Sequence, residues 1–150
     1  MRQPFQILVM PFRRVDGGFE FAAFRRSDAD YWQGIAGGGE ADESPEAAAK
    51  REAGEEAGIP LTALFFPLQT TSSVPVHHFE ERVSWPTDLL VIPEFSFAVD
   101  CTGVQLRISH EHIEACWGRY REVYNRLKWD SNRTALWELQ ERLKGSKLLT

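Results

Sequence analysis

The chain has 150 residues, of which 43% are hydrophobic and 26% are charged, and its formal net charge is −5. We expect residues 1–150 to form one domain with a substantial core, and the negative charge argues against nucleic acid or an anionic membrane as a partner. No apolar run is long enough to span a membrane, and no N-terminal signal peptide is recognisable. The two cysteines, Cys101 and Cys116, fit no metal-ligand spacing, which favours reduced thiols in a cytoplasmic protein.

Strand and helix patterns alternate along the chain. In chain order they predict strands over residues 5–15, 19–26 and 32–36, a helix over 45–57, strands over 64–71, 89–99, 106–109 and 113–117, and helices over 122–127 and 131–143. Residues 72–86 are expected to be irregular. Asp16-Gly17-Gly18 predicts a hairpin turn, Pro93 predicts a sheet edge or a bulge, and Gly145 predicts the end of the last helix. This order predicts an α/β fold with a mixed sheet between helices.

The helix expected over residues 45–57 has signals at both ends. Ser44 can cap the free amides of the first turn, and Pro45 suits the first helical position, where its missing N–H costs nothing. Gly58 is the usual type of residue at a helix end. Gly54 lies in the middle of this helix at a cost of about 0.5–1 kcal/mol relative to alanine, which predicts close approach of another backbone.

Three glutamates on this helix, Glu52, Glu55 and Glu56, are spaced i, i+3 and i+4 and therefore share one face. Like charges at this spacing repel each other, so a cation between them would explain the cluster. Carboxylate oxygens favour Mg²⁺ or Mn²⁺ over zinc, and Mg²⁺ commonly shares its coordination shell with substrate phosphates. The alternative interpretation is an acidic helix surface that faces solvent.

The residues around these glutamates follow a fixed spacing. Gly37 is followed by five residues, Glu43, seven residues, and then Arg51-Glu52-Ala53-Gly54-Glu55-Glu56-Ala57-Gly58-Ile59. The glycines at 37–39 have no evident packing use, which favours a loop whose backbone approaches a phosphate or a metal. The whole pattern resembles the Nudix box, the signature of enzymes that hydrolyse a nucleoside diphosphate linked to another group. This resemblance implies an α/β/α sandwich with a mixed β-sheet.

Three clusters of residues outside the box indicate which members of this family the chain resembles. They are Arg25-Arg26 with Asp28 and Tyr31-Trp32-Gln33, then Glu111-His112 with Trp117, and then Trp129 with Ser131-Asn132-Arg133. Together they resemble bacterial dihydroneopterin triphosphate pyrophosphatases, which are also described as dATP pyrophosphohydrolases. The implied reaction is attack of a metal-activated water on one phosphorus of a nucleotide or pterin triphosphate, which releases a monophosphate and pyrophosphate.

The resemblance also implies roles for individual residues. Glu43 and Arg51 match a salt bridge that fixes the loop against the helix, and Gly58 is the structural end of the box. The candidate metal ligands are Glu52, Glu55, Glu56 and Glu111, the candidate catalytic residues are Glu55, Glu111 and Arg51, and the candidate substrate-binding residues are Arg26, Trp32, Gly37, Gly38, Trp129 and Asn132.

Several of these residues have a structural alternative. Arg25 and Arg26 alternate sides on a strand, so at most one of them faces the site, and Arg26 is favoured as the phosphate contact. Trp32 could fill the core instead of stacking on a substrate ring. Asn132 and Asp130 could cap the last helix, and Trp129 could be a packing anchor.

Two further functional hypotheses remain open from the sequence. Pro75 lies sixteen residues after Ile59, a spacing associated with ADP-ribose pyrophosphatases of the resembling family. A catalytically silent ligand-binding module is the alternative from another class, although such modules usually lose box carboxylates. The fold is compatible with a monomer or a homodimer.

Overall fold

The structure, a computed structural model, describes residues 1–149 and contains seven strands and three helices in that range. The strands are β1 (Arg2–Val15), β2 (Gly18–Arg26), β3 (Trp32–Gln33), β4 (Ile35–Glu40), β5 (Phe65–Pro75), β6 (Val91–Asp100) and β7 (His112–Gly118). The helices are α1 (Pro45–Ala57), α2 (Tyr120–Arg126) and α3 (Asp130–Lys144), and short 3-10 turns cover Val76–His78 and Glu80–Ser84.

Strand β1 organises the sheet because it pairs with three other strands. Its first half lies antiparallel to β4, with Ile7 opposite Gly37, and its second half lies antiparallel to β2, with Phe12 opposite Phe21. Along its other edge β1 runs parallel to β6. The sheet order is β3-β2-β1-β6-β5, with β4 added on β1 and β7 on β2. The sheet is therefore mixed, as predicted.

Helices cover both faces of this sheet, which confirms the α/β/α layers. Because side chains alternate along a strand, Ile7 and Val9 of β1 enter a core that includes four alanines of α1. Leu8 and Met10 enter a second core on the opposite face, where α2 and α3 pack. None of the helices within residues 1–149 is long and apolar enough to cross a bilayer.

Two turn and edge predictions are confirmed. Gly17 adopts a left-handed φ of 81°, and Gly18 lies opposite Val15, so β1 and β2 form the expected hairpin. Pro93 lies opposite Ser73 on β5, just before the pairing of β6 with β1 begins. Its missing N–H therefore costs no hydrogen bond to β1.

Several segments differ from the prediction. The glycines at 37–39 lie within β4 and not in a loop, because β4 continues to pair with β1 through them. Strand β5 extends to Pro75, because residues 91–93 supply partners for it, so residues 72–75 are not irregular. Residues 106–109 form no strand.

Both cysteines are free thiols. Cys101 is buried in the core beneath α1, and burial raises its pKa to about 12. Cys116 on β7 is half-buried, and burial raises its pKa as well. Both thiols therefore stay protonated at neutral pH, a state in which they are poor nucleophiles.

Helix α1 begins and ends where its local signals predict. Ser44 Oγ accepts a hydrogen bond from the first turn at 3.2 Å, and Gly58 adopts a left-handed φ of 68°. The expected close backbone approach at Gly54 is wrong. A Cβ added there would lie 3.5 Å from Ile59 O, an ordinary contact distance, so an alanine fits.

We expect Gly54→Ala to raise the free energy of unfolding by about 0.5–1 kcal/mol, because alanine restricts the unfolded chain and favours the helix. Chemical denaturation monitored by circular dichroism measures this change.

The matched control is Gly39→Ala, the same substitution at a glycine where an added Cβ would overlap the ring of Phe5. Overpacking should lower the free energy of unfolding by about 1–3 kcal/mol. Equal effects of the two substitutions would contradict the packing described here.

Candidate active site

The guanidinium of Arg51 joins the loop before α1, the acidic face of α1 and strand β4. Its Nε and Nη2 donate to the two carboxylate oxygens of Glu43 at 2.8 and 3.0 Å. Nη1 donates to Glu52 Oε1 at 2.9 Å and to Glu55 Oε2 at 3.1 Å, and Nη2 also donates to Gly38 O at 2.8 Å. These contacts raise the pKa of Arg51, chiefly through Glu43, and lower that of Glu43. The ion pair expected between Glu43 and Arg51 is therefore present.

The glycines of β4 admit charged side chains on both faces of the strand. At Gly37 an added Cβ would lie 2.6 Å from Glu52 Oε1, and at Gly38 it would lie 2.7 Å from Arg2 Nη2. The view that these glycines have no packing use is therefore wrong. The carboxyl of Glu52 is 15% exposed, and burial raises its pKa even though Arg51 opposes this shift.

The loop that carries Glu111 is attached to the C-terminal turn of α1. Arg107 N donates to Ala57 O at 2.8 Å, and Ser109 N donates to Glu56 O at 3.1 Å. Carbonyl groups in the last turn of a helix lack helical partners, and this loop satisfies two of them. At its other end the loop is held by Ser27, whose N–H donates to Glu111 O at 3.0 Å. Glu111 is therefore brought to Glu56.

Glu56 and Glu111 form a carboxyl pair. Glu56 is 3% exposed, and its pKa is raised to about 10, first by burial and then by its hydrogen bond with Glu111 and the charge of Glu52. The same hydrogen bond lowers the pKa of Glu111. One proton is thus shared by the pair and stays on Glu56, the more buried member.

Of the two adjacent arginines on β2, Arg26 borders this pair of carboxyl groups. Arg26 donates to both carboxylate oxygens of Asp28 at 3.0 and 2.9 Å, and its charge lowers the pKa of both Glu56 and Glu111. Arg25 lies away from them, bonded to Asp30 and Glu114. The preference for Arg26 over Arg25 therefore agrees with where the two side chains lie.

His112, next to Glu111, is buried against the ring of Phe24 at 5.4 Å. Both of its ring nitrogens lack a hydrogen-bond partner, and burial lowers its pKa. His110 is exposed, and its carbonyl accepts from Ser27 Oγ at 3.2 Å.

The donor set around Glu56 fits a divalent cation chemically. As the side chains of residues 1–149 stand, no three His, Cys, Asp or Glu residues are grouped closely enough to hold a metal ion. The reason is that Arg51 holds Glu52 and Glu55 while Glu56 faces Glu111. Yet Glu56 Oε2 is buried without a hydrogen-bond partner. An unpaired buried carboxyl oxygen beside a second carboxyl is the arrangement that a hard cation relieves.

Glu55 lies at the outer side of this group. Its side chain is 60% exposed. Within residues 1–149 its only ion pair is with Arg51. The sequence pattern placed it on the same helix face as Glu52 and Glu56, and the structure places it on the solvent edge of that face.

Asn132, Trp129 and Trp32, three candidate substrate-binding residues, lie on the α3 side of the sheet. Asn132 is buried, and its Oδ1 accepts from Gly34 N at 2.8 Å, which ties α3 to the junction of β3 and β4. The N-cap of α3 is Trp129, which makes no side-chain cap bond, so the cap interpretation of Asn132 is wrong. Trp129 is 40% exposed, and its Nε1 donates to Gln33 Oε1 at 3.2 Å.

Trp32 packs instead at the edge of the core beneath α2 and α3. The guanidinium carbon of Arg126 lies 5.1 Å from the centroid of the Trp32 ring. The carbonyl of Trp32 accepts a hydrogen bond from Lys128 N at 3.0 Å. These contacts support the core interpretation of Trp32.

The sequence reasoning missed Glu94 on β6, whose side chain is 6% exposed. Its Oε1 has no hydrogen-bond partner, burial raises its pKa, and a hydrogen bond with Ser131 opposes this shift. An unsatisfied buried polar group costs about 1–3 kcal/mol. The signal was available, because Glu94 has the same strand parity as Ser96 and Ala98, which are also buried.

Comparison with protein families gives a match over most of the chain. Residues 7–138 match the family profile described as NUDIX domain. In sequence, 116 residues are 27% identical to dihydroneopterin triphosphate diphosphatase of Haemophilus influenzae and cover 75% of this chain and 72% of that protein.

Solved structures give a similar picture. A Listeria monocytogenes protein assigned as a NUDIX hydrolase has a TM-score of 0.91 and 39% identity, with 99% of each chain covered. The dihydroneopterin triphosphate pyrophosphohydrolase of E. coli has a TM-score of 0.76 and 23% identity, with 94% of this chain and 97% of that chain covered. At that identity the second likeness concerns the fold.

We expect Glu56→Gln to raise the melting temperature in metal-free buffer near neutral pH. In the unfolded state Glu56 ionises above its ordinary pKa of 4.5. In the folded state its raised pKa keeps it protonated up to about pH 10. The parent therefore loses stability relative to the variant as the pH rises between these values. Glutamine also retains a donor for Glu111.

Melting curves from pH 4 to pH 9 in the presence of a chelator measure this difference. The gain of the variant should be smallest at pH 4 and should grow with pH. A gain that is constant across the range would contradict the raised pKa.

Proposed function

Because the chain belongs to the NUDIX family and is a pyrophosphohydrolase of that family, we propose that it cleaves a nucleoside-triphosphate-like substrate, dihydroneopterin triphosphate or dATP, to a monophosphate and pyrophosphate. The reaction uses Mg²⁺ or Mn²⁺. The observation that carries this proposal is the pair formed by the buried Glu56 and the exposed Glu111 beside the anchored carboxylate of Glu52.

Glu52, Glu56 and Glu111 would hold the divalent ion, and Glu55 would join them once it is released from Arg51. When bound, such an ion neutralises phosphate charge and lowers the pKa of a water molecule. Oε2 of Glu56 is buried and has no hydrogen-bond partner, so a cation would satisfy it.

Arg51 acts as a positioning residue in this proposal. It holds Glu52 against Gly37 and fixes Glu43 and Gly38 at the same time. Because a guanidinium offers several donors in a rigid plane, the acidic residues keep their places when substrate phosphates arrive.

Glu111 is the proposed base. It is exposed, and its pKa lies below the ordinary value, so it is ionised at neutral pH and can accept a proton from the attacking water. Arg26 lies beside it and can shift from Asp28 to a phosphate oxygen, which a guanidinium binds with two hydrogen bonds. Gly37 and Gly38 supply backbone near the same phosphates.

The choice of a triphosphate rests on sequence similarity to dihydroneopterin triphosphate diphosphatase across 75% of the chain. We propose Trp129 and Asn132 as elements of the substrate-binding side, and Trp32 as a packing residue that supports them.

The test is incubation of the purified protein with Mg²⁺ and dihydroneopterin triphosphate, dATP, 8-oxo-dGTP or ADP-ribose, with products separated by ion-exchange chromatography. Pyrophosphate and a monophosphate from the pterin or dATP support the proposal. AMP and ribose phosphate from ADP-ribose, without triphosphate turnover, would replace it with an ADP-ribose pyrophosphatase in which Pro75 has a role.

We expect Glu56→Gln to lower kcat by about 10²–10³-fold, because a preorganised charge-stabilising group is lost. Glu114→Gln is the matched control, since Glu114 is exposed on β7 and bonds only to Arg25 among the side chains of residues 1–149. It should keep the parent kcat. Near-normal kcat in Glu56→Gln, with Mg²⁺ present, would overturn the metal assignment.

A further inference from the structure

A buried carboxyl on the α3 face of the sheet has no use in the hydrolytic chemistry described above. Glu94 is almost fully buried, its Oε1 has no partner, and no cationic side chain contributes to the shift of its pKa. A carboxyl kept in this state is available for a donor that the protein itself does not supply.

Glu138, a second buried carboxyl on the same side of the sheet, shows how the fold satisfies such a group when its role is structural. Its two oxygens accept from the backbone N–H groups of Gln69 and Thr70 at 2.7 Å each, and Arg142 forms an ion pair with it at 2.7 Å. These bonds lower its pKa, whereas the pKa of Glu94 is raised. Glu94 therefore differs from Glu138 and resembles Glu56 of the hydrolytic site, which is also buried with an unpartnered oxygen and a raised pKa.

Glu94 lies in register with Gly38, the β4 residue near which the substrate phosphates are proposed to bind. It is opposite Gln6 on β1, and Gln6 is opposite Gly38 on β4. Two strand spacings separate Glu94 from Gly38, or about 10 Å. Gly38 is bonded through its carbonyl to Arg51, which holds Glu52. The carboxylates lie on the α1 face of the sheet and Glu94 on the α3 face, so a substrate that extends from the carboxylates around β4 would end near Glu94.

Polar and aromatic groups border this part of the α3 face. Arg2 lies over Gly38 and donates to Gln6, and its Nε is a second buried atom without a partner. The first turn of α3 crosses above the sheet, where Ser131 bonds Glu94 and the half-exposed Trp129 lies at the end of the helix. An unpaired acceptor on Glu94 and an unpaired donor on Arg2, whose guanidinium carbon lies 4.5 Å from the ring centroid of Phe79, suit a flat heterocycle with both donors and acceptors.

We propose that Glu94 is the residue that selects the ring of the substrate, by accepting two hydrogen bonds from the adjacent N–H donors of a 2-amino-4-oxopyrimidine edge. Guanine and pterins share this edge. Adenine offers one donor beside an acceptor and cannot form the same pair with a carboxylate. This inference rests on the proposed triphosphate hydrolysis and specifies which rings that site accepts.

The first experiment compares kcat/KM for dGTP and dITP, which differ only in the 2-amino group, in the parent, Glu94→Gln and the Glu114→Gln control. The parent and the control should prefer dGTP by at least about tenfold, the discrimination typical of a bidentate contact. Glu94→Gln should lose this preference through slower turnover of dGTP, with dITP changed by less than about threefold. A ratio near one in the parent, or an unchanged ratio in Glu94→Gln, overturns the proposal.

Dihydroneopterin triphosphate and dATP complete the substrate set. A loss for both dGTP and dihydroneopterin triphosphate in Glu94→Gln supports the shared edge, and a loss for one of them identifies which ring the site takes. Equal losses for dATP and dGTP contradict the proposal, because adenine lacks the donor pair.

Two further measurements separate this proposal from its premise and from a structural role. Calorimetric titration with dGMP and dIMP tests ring selection even if no triphosphate is hydrolysed, and equal affinities for the parent would then refute it. The melting temperature of Glu94→Gln should equal or exceed that of the parent, since an amide is easier to bury than an unpaired carboxyl. A lower melting temperature with unchanged selectivity would indicate a structural role.

Discussion

The pairing of one guanidinium with three carboxylates and a carbonyl is the interaction on which the site depends. Arg51 bonds Glu43 in the loop, Glu52 and Glu55 on α1, and the carbonyl of Gly38 on β4. Each carboxylate alone would be a solvated charge of little energetic consequence. Because one planar guanidinium holds them, the three carboxylates form a rigid acidic surface at a fixed distance from the sheet.

The second constraint on the site is a set of backbone hydrogen bonds at the end of α1. The end of α1 leaves carbonyl groups that need donors, and the segment from Arg107 to Ser109 supplies them. This contact brings the exposed carboxyl of Glu111 to the buried carboxyl of Glu56, and the two groups share a proton. The close approach of the two carboxyl groups therefore follows from carbonyl groups at the end of α1 that would otherwise lack hydrogen-bond donors.

Local signals made much of the fold predictable. The ends of α1 are right because Ser44, Pro45 and Gly58 act on their own neighbours, whereas the ion pair of Arg51 with Glu43 was predicted from the resemblance to the Nudix box. The glycines of β4 were misread because their use lies in contacts with Glu52 and Arg2, which only the assembled sheet provides.

Long-range packing explains the remaining gaps. Glu111 could be tied to the site only through a family resemblance, since a loop far along the chain carries it. Glu94 was overlooked although it shares strand parity with Ser96 and Ala98, because its contact with Ser131 arises only when α3 docks over β6. Local sequence therefore indicated the glutamates of α1, whereas the positions of Glu111 and Glu94 depend on tertiary packing.

The bond between Gly34 N and Asn132 Oδ1 has a consequence for how the protein is made. The two residues are 98 positions apart, so the α3 side of the sheet is closed only when the last helix has been synthesised. The hairpin of β1 and β2 involves neighbouring residues and can form early, whereas closure of such a long loop comes late. A nascent chain that already holds every box glutamate therefore lacks the layer formed by α3, and synthesis of α3 is the step that closes this side of the sheet.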